Sequence, residues 1–331
     1  MSKKQCKYTS IGGQALIEGI MMKSNEKSAL AVRTPDGSID ITYMDNKPLN
    51  QKNAFFKLPL VRGVVGFIDS MTTGYKAMMI SADKSGFADE VDEETGETQK
   101  LSGKAWTAIM AVASVLAVVL SVALFMYLPR LAVQGLEWLT KTHFSAIARS
   151  SIEQALKLCV FLVYIIAVSY MKDIRRVFSY HGAEHKTIFC YEAKLPLTVE
   201  NVRKQKRFHP RCGTSFMILM ILISVVVSTF VQILFKGVYE NPVVWTVVKL
   251  FMIPLICGLG YEVLKICGKY DNIVTRIISA PGVWVQRITT KEPDDSMIEV
   301  AIAAMNEVIP ENLIKKEEST EEVQAEENDN I

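Results

Sequence analysis

Apolar residues along this chain fall into two patterns, long unbroken runs and shorter periodic stretches. Four runs approach the roughly 20 residues needed to cross the hydrocarbon core of a bilayer: 106–128, 152–170, 216–235 and 243–264. The first carries no charge before Arg130. The second has Glu153, Gln154 and Lys157 crowded at its start, so those side chains are expected at the interface. The fourth contains Lys249, close enough to an end to snorkel, and Pro254, which a membrane helix tolerates. Four membrane-spanning helices are therefore expected.

Shorter periodicities organise the rest. Residues 28–33 and 39–44 alternate like strands on either side of Pro35, Asp36 and Gly37, which supply the preset φ, the side-chain turn bond and the positive φ of a tight turn. Residues 12–22 read as a third strand, entered and interrupted by glycines. Over 60–80, apolar residues recur near helical spacing, with Arg62, Asp69 and Lys76 opposite. That amphipathic helix is expected to pack on the sheet or the membrane helices, the alternative being a place on the leaflet. Trp284 between Pro281 and Arg287 suits a membrane surface, and a helix is expected over 295–308, capped by Asp294 or Asp295. The acidic stretches 83–104 and 315–331 read as a linker and a disordered tail.

The expected fold class is thus an α-helical multi-pass membrane protein with a small cytosolic α+β N-terminal region. Its segments are 1–82, the linker 83–104, a four-helix membrane domain 105–265 with a polar loop 171–215, a membrane-surface and helical segment 266–313, and the tail 314–331.

Charge then orients the chain. Lysine and arginine gather in 1–104 and again in 172–211, whereas the first connection offers only Arg130, Lys141 and Arg149. The positive-inside rule puts both termini and the 171–215 segment in the cytoplasm. The overall composition, 22% charged with net charge +2, would by itself have suggested a soluble protein. Residues 1–10 lack an apolar core, so no cleaved secretory signal is expected. Six scattered cysteines in a reducing compartment are thiols, and Cys190 and Cys212 are the two placed for metal work.

The candidate chemistry sits in 171–215, which holds His181, His185 and His209, three of the four histidines. On a helix, His181 and His185 would share a face, four residues apart, with Glu184 beside them. Imidazole and thiolate donors suit zinc as the divalent metal, so the expected ligands are His181, His185, His209 and Cys212. Glu184 and Glu18 are the expected catalytic carboxylates, with Glu192 a further candidate; otherwise Glu18 pairs with an arginine such as Arg62. Three protein ligands with a water would support hydrolysis, whereas a fourth, from Cys190 for example, would only staple the segment. The bland alternatives for the histidines are internal hydrogen bonds and lipid-phosphate contacts beside Arg175, Arg176 and Lys186. His-x-x-Glu-His also has the residue order of the inverzincin peptidases, though five residues do not establish one.

Five separated motifs carry a resemblance. Gly-Gly-Gln-Ala-Leu-Ile-Glu-Gly-Ile-Met-Met at 12–22, Leu-Val-Arg-Gly-Val-Val at 60–65, His-Gly-Ala-Glu-His-Lys-Thr at 181–187, His-Pro-Arg-Cys-Gly-Thr-Ser at 209–215 and Pro-Gly-Val-Trp-Val-Gln-Arg-Ile-Thr-Thr-Lys-Glu-Pro-Asp-Asp at 281–295 resemble the YqhQ-like family of bacterial inner-membrane proteins. The resemblance implies residence in the bacterial plasma membrane and a metal-dependent activity. Its gene neighbourhood, a ribosomal protein and a release factor with its methyltransferase, implies a link to translation or membrane-protein biogenesis. A second class of function follows: an assembly, insertion or scaffold factor whose basic face at Arg203, Lys204, Lys206, Arg207 and Arg211 meets a ribosome or translocase. The expected partners are the bilayer, a second copy of the chain, and a ribosome or translocase; nothing points to specific DNA binding.

Overall fold

The computed structural model describes residues 9, 11–44, 53–87, 89–91, 98–100, 103–235, 237, 241–270 and 272–309. The acidic tail therefore lies outside the described residues.

Four antiparallel strands, β1 (Gly12–Leu16), β2 (Gly19–Lys23), β3 (Ser28–Arg33) and β4 (Ile39–Met44), form one sheet in sequence order. The expected β3–β4 hairpin is present, with Ser28 opposite Met44 and Arg33 opposite Ile39. The single strand expected over 12–22 is instead a second hairpin, in which Leu16 pairs with Gly19 across Ile17 and Glu18. Its turn puts Glu18 at φ 49°, a left-handed conformation uncommon for a residue with a Cβ.

Both faces of the central strands are covered, which is why β2 and β3 read as nearly continuous apolar runs. One face (Ile20, Met22, Ala29, Ala31) packs on residues from α5 (Lys172–Glu192) and α10 (Asp295–Asn306). The other (Leu16, Met21, Leu30, Val32) packs on Ala77 of α1 (Val61–Lys84). Helix α1 buries its small residues, Gly63, Gly74, Ala77, Ser81 and Ala82. Ile68, Met71 and Tyr75, assigned to the packing stripe by periodicity, are about half exposed. Close approach explains the difference, because a Cβ on Gly63 would lie 2.7 Å from Tyr261 Cβ of α8 (Pro242–Lys269). Within the expected acidic linker, β5 (Asp89–Val91) and β6 (Thr98–Lys100) pair as a short ribbon.

Four helices are long and apolar enough to cross a membrane, at Ala108–Thr140, Ile147–Val168, Gly213–Leu234 and Val244–Lys269. The first comprises α2 (Gly103–Val122), a π-helical turn over Ala123–Tyr127 and α3 (Leu128–Thr140), so it runs a dozen residues beyond the expected span. Glu137 near its end accepts at both carboxylate oxygens from the Nε–Nη2 edge of Arg149 in α4 (Ala146–Val168), which fastens the connection. The remaining elements are α6 (Val199–Arg203), α7 (Gly213–Leu234) and α9 (Ile273–Thr289). Helix α9 begins with an Asn272–Thr275 capping box and leaves Ile273, Val274, Ile277 and Trp284 exposed. That face has the composition of a helix at a bilayer surface.

Candidate metal centre

The segment expected as a polar loop is largely helix. Helix α5 is polar in composition yet buries Tyr180, Cys190 and every residue from Gly182 to Ile188. Burial on this scale requires a partner for each polar group. Gly182 makes the packing possible: Lys291 donates its N–H to the Phe178 carbonyl, and a Cβ on Gly182 would fall 2.0 Å from the Lys291 oxygen. The 289–293 segment therefore crosses directly over the helix.

On the buried side of α5, His181 and His185 meet edge to face, with ring centroids 4.4 Å apart. Each Nδ1 meets a backbone carbonyl, that of Thr289 at 2.9 Å for His181 and that of Arg207 at 2.5 Å for His185. A carbonyl only accepts, so each Nδ1 carries a proton and Nε2 is the ring nitrogen left to serve as a ligand atom. His181 Nε2 lies 3.0 Å from Cys212 Sγ. The thiol also bonds to His185, and the donor atoms of His181, His185 and Cys212 lie within 4.8 Å of one another. Carbonyl-anchored Nδ1 groups with Nε2 atoms converging on a sulfur are the arrangement that metal-ligating histidines adopt.

Cys212 arrives from the opposite direction as the N-cap of α7. Gln286 of α9 sets its place. Its amide accepts from His209 N, donates to the His209 carbonyl and donates to Ser215 Oγ, so it grips both sides of Cys212. A Cβ on Gly282, one turn earlier, would lie 2.7 Å from Ser215 Cα. Close packing of α9 on α7 thus keeps the thiol where the imidazoles converge.

Glu184 completes the group. Gly13 donates its N–H to the buried carboxylate, and a Cβ on Gly13 would lie 2.8 Å from Glu184 Cγ. The first strand is therefore glycine where the carboxylate rests on it. Burial, the largest influence, raises the Glu184 pKa against the opposing pull of His185 and His181. Burial also disfavours a charged His181, yet the Cys212 charge and hydrogen bond outweigh it and raise the imidazole to about 9. Cys212 answers in kind: burial pushes its thiol up, and His181 and His185 more than reverse this, leaving it well below the ordinary thiol range. Without a metal, the pair holds one proton between nitrogen and sulfur. A divalent cation would displace that proton.

Other expected site residues are placed differently. His209 is buried with its ring 5.7 Å from His185, but Nε2 faces Glu192 at 3.7 Å and Nδ1 accepts from Arg211 N. Burial lowers its pKa, partly offset by Glu192. Glu192 is itself held by Arg211 and by Thr9 N. The Cys190 thiol is turned toward the Leu195 and Pro196 carbonyls. Glu18 is bound at both oxygens by Arg176 and accepts from Tyr180 at 3.1 Å, while Arg62 pairs with Glu262. Gln286 and the Thr289 and Arg207 carbonyls are not marked by spacing or residue type as parts of a metal site. Their only trace in the sequence is membership of, or nearness to, the five separated motifs.

Comparison with known proteins adds no activity. The chain is 38% identical over 302 residues to a Bacillus subtilis (strain 168) protein, "Uncharacterized protein YqhQ", covering 90% of this chain and 92% of that one. No solved structure matches it. The family described as "Protein of unknown function (DUF1385)" matches residues 58–311, and the chain belongs to that family.

Proposed function

We propose that His181, His185 and Cys212 hold a divalent metal, zinc by its donor preference, at the cytoplasmic surface of the membrane, and that the centre serves hydrolysis. The observation that carries this reading is the pair of Nδ1–carbonyl bonds, which leave both Nε2 atoms free to converge on Cys212. Two imidazoles and a thiolate suit four-coordinate zinc with one position left over. The further group beside them is a carboxylate, Glu184, rather than the thioether expected of an electron-transfer copper site.

A bound ion would supply Lewis acidity, polarising a substrate oxygen and making a water more acidic. The protein's own groups do the rest. Glu184, with its raised pKa and one fixed N–H donor, is suited to take a proton from the attacking water and return it to the leaving group. Glu18 serves by position, locking Arg176 and Tyr180 of α5 to the β1–β2 turn. Cytoplasmic placement rests on the lysine and arginine distribution.

Elemental analysis of the detergent-purified protein tests the reading. About one ion per chain is expected for wild type and Glu184→Gln, with loss in His181→Ala, His185→Ala and Cys212→Ala variants that keep wild-type helicity. Metal-free wild type after anaerobic purification with added zinc, iron or manganese would overturn it.

One observation favours a second reading, in which Cys212 is a nucleophile. Its sulfur sits 3.0 Å from an imidazole nitrogen at the N-terminus of a helix, a setting that activates thiols. Alkylation by iodoacetamide that is equally fast with and without added metal would favour this reading over the first.

A further inference from the structure

At the other end of the bundle, charged and amide side chains meet inside the candidate spans. Cys212 caps the start of α7, and Gln232 lies near its finish, about 30 Å farther along at 1.5 Å per residue. Gln232 donates to Ser150 of α4 at 2.6 Å. Beside them Glu153 of α4 pairs with Lys249 of α8, the carboxylate nearly fully buried.

Lys157 follows Glu153 by one helical turn and is partly buried on the same side of α4. Among the described residues its ammonium makes no hydrogen bond or ion pair. Two ammonium groups against one carboxylate leave one positive charge unbalanced between apolar helices. Two amide oxygens are orphaned as well: Gln154 and Gln232, each over nine-tenths buried, have side-chain oxygens without a donor. A charge inside a span is costly and normally marks a pathway or a bound counter-charge. The unmet needs here are complementary, one anion for Lys157 and hydroxyl donors for the two glutamines.

We propose that Lys157, Gln154 and Gln232 form a site for the phosphate and hydroxyls of a polyol-phosphate headgroup, supplied by an anionic lipid of the leaflet opposite the His/Cys group. The lipid source follows from the surroundings. Val247, Leu250 and Phe251 of α8 and Ile147 of α4 are exposed near these residues and face hydrocarbon when the helices span a bilayer. An anion reaching Lys157 by that route arrives attached to acyl chains. The pairing of Glu153 with Lys249 leaves Lys157 as the cation available to it.

The test uses the full chain in nanodiscs of phosphatidylcholine doped with phosphatidylglycerol, with bound lipid counted by native mass spectrometry. Wild type is expected to retain phosphatidylglycerol in preference to phosphatidylcholine, and Lys157→Met to lose that retention by about tenfold, near 1.4 kcal/mol. Lys157→Arg should restore it, and Gln154→Met should weaken it with Lys157 intact. Equal retention by wild type and a folded Lys157→Met overturns the site. A separate arm adds inorganic phosphate to delipidated protein in detergent. Stabilisation of wild type but not Lys157→Met, without phosphatidylglycerol retention in nanodiscs, would overturn the lipid source and assign the groups to a free anion.

Discussion

Along α2, Val112, Val115, Leu116, Val118, Val119 and Leu120 are all exposed, whereas along α5 the charged and polar Glu184, His185, Lys186 and Thr187 are all buried. Sequence polarity and burial are inverted between the two helices. In α2, which is long and apolar enough to cross a membrane, such a face would need only hydrocarbon outside it, so one aliphatic residue would serve nearly as well as another. In α5 each polar group needs its own partner, and each has one. Glu184 takes the Gly13 N–H, His185 the Arg207 carbonyl, Lys186 the Arg203 carbonyl and Glu292, and Thr187 the Ala183 carbonyl. Specific identity is therefore concentrated where hydropathy predicts a loop.

The largest expected effect pits one glycine against another. Gly182→Ala drives a methyl into the Lys291 carbonyl, and displacing that backbone should cost about 3 kcal/mol. Gly135→Ala in α3 meets nothing within 4 Å and should stabilise by less than about 1 kcal/mol through helix propensity. Thermal unfolding in detergent reads both. Equal midpoints for the two variants would break the comparison, since α5 would then be no more constrained than an exposed apolar helix.

A middle-sized effect sharpens it. Gln286→Leu preserves bulk but strands the His209 N–H and carbonyl in a buried place, at a cost of about 2 kcal/mol. Gln286 touches none of the three donor atoms, yet it grips both sides of Cys212. Metal occupancy should therefore fall alongside the melting temperature. A destabilised variant with wild-type metal content would show that the His209–Ser215 grip does not position the thiol.

How much of this was legible in the sequence follows from the same contrast. The four long apolar helices, the β3–β4 hairpin and the His181–His185 spacing depend on local periodicity, and all three are present, the first helix running past its expected end. The β1–β2 hairpin was missed because its turn uses Ile17 and Glu18 rather than glycine or asparagine; Arg176 and Tyr180, far along the chain, hold Glu18 in its left-handed conformation. Cys212 and His209 were equally plausible ligands from spacing alone. Gln286, from α9, distinguishes their orientations, and no pattern near residue 210 contains that information. Likewise Gly13 in a strand signals a close approach or a bulge, and only the structure identifies Glu184 as the group that lies on it.

The smallest expected effect concerns the basic face. Arg203 pairs with Asp295 and Lys204 with Glu200, all four side chains more than half exposed, so water and salt screen both pairs. Reversing them together, Arg203→Glu with Lys204→Glu, should leave the melting temperature and the bound metal unchanged within error. The α5 interior should be insensitive to such a change, because the Arg203 atom that Lys186 uses is a backbone carbonyl, which substitution retains. Ribosome co-sedimentation at low salt gives the opposing readout. If the double variant loses ribosome binding and cellular function while Cys212→Ser keeps both, the solvated surface carries the activity and the protein is an assembly or insertion factor. If Cys212→Ser fails and the double variant does not, the polar interior of α5 is there for chemistry.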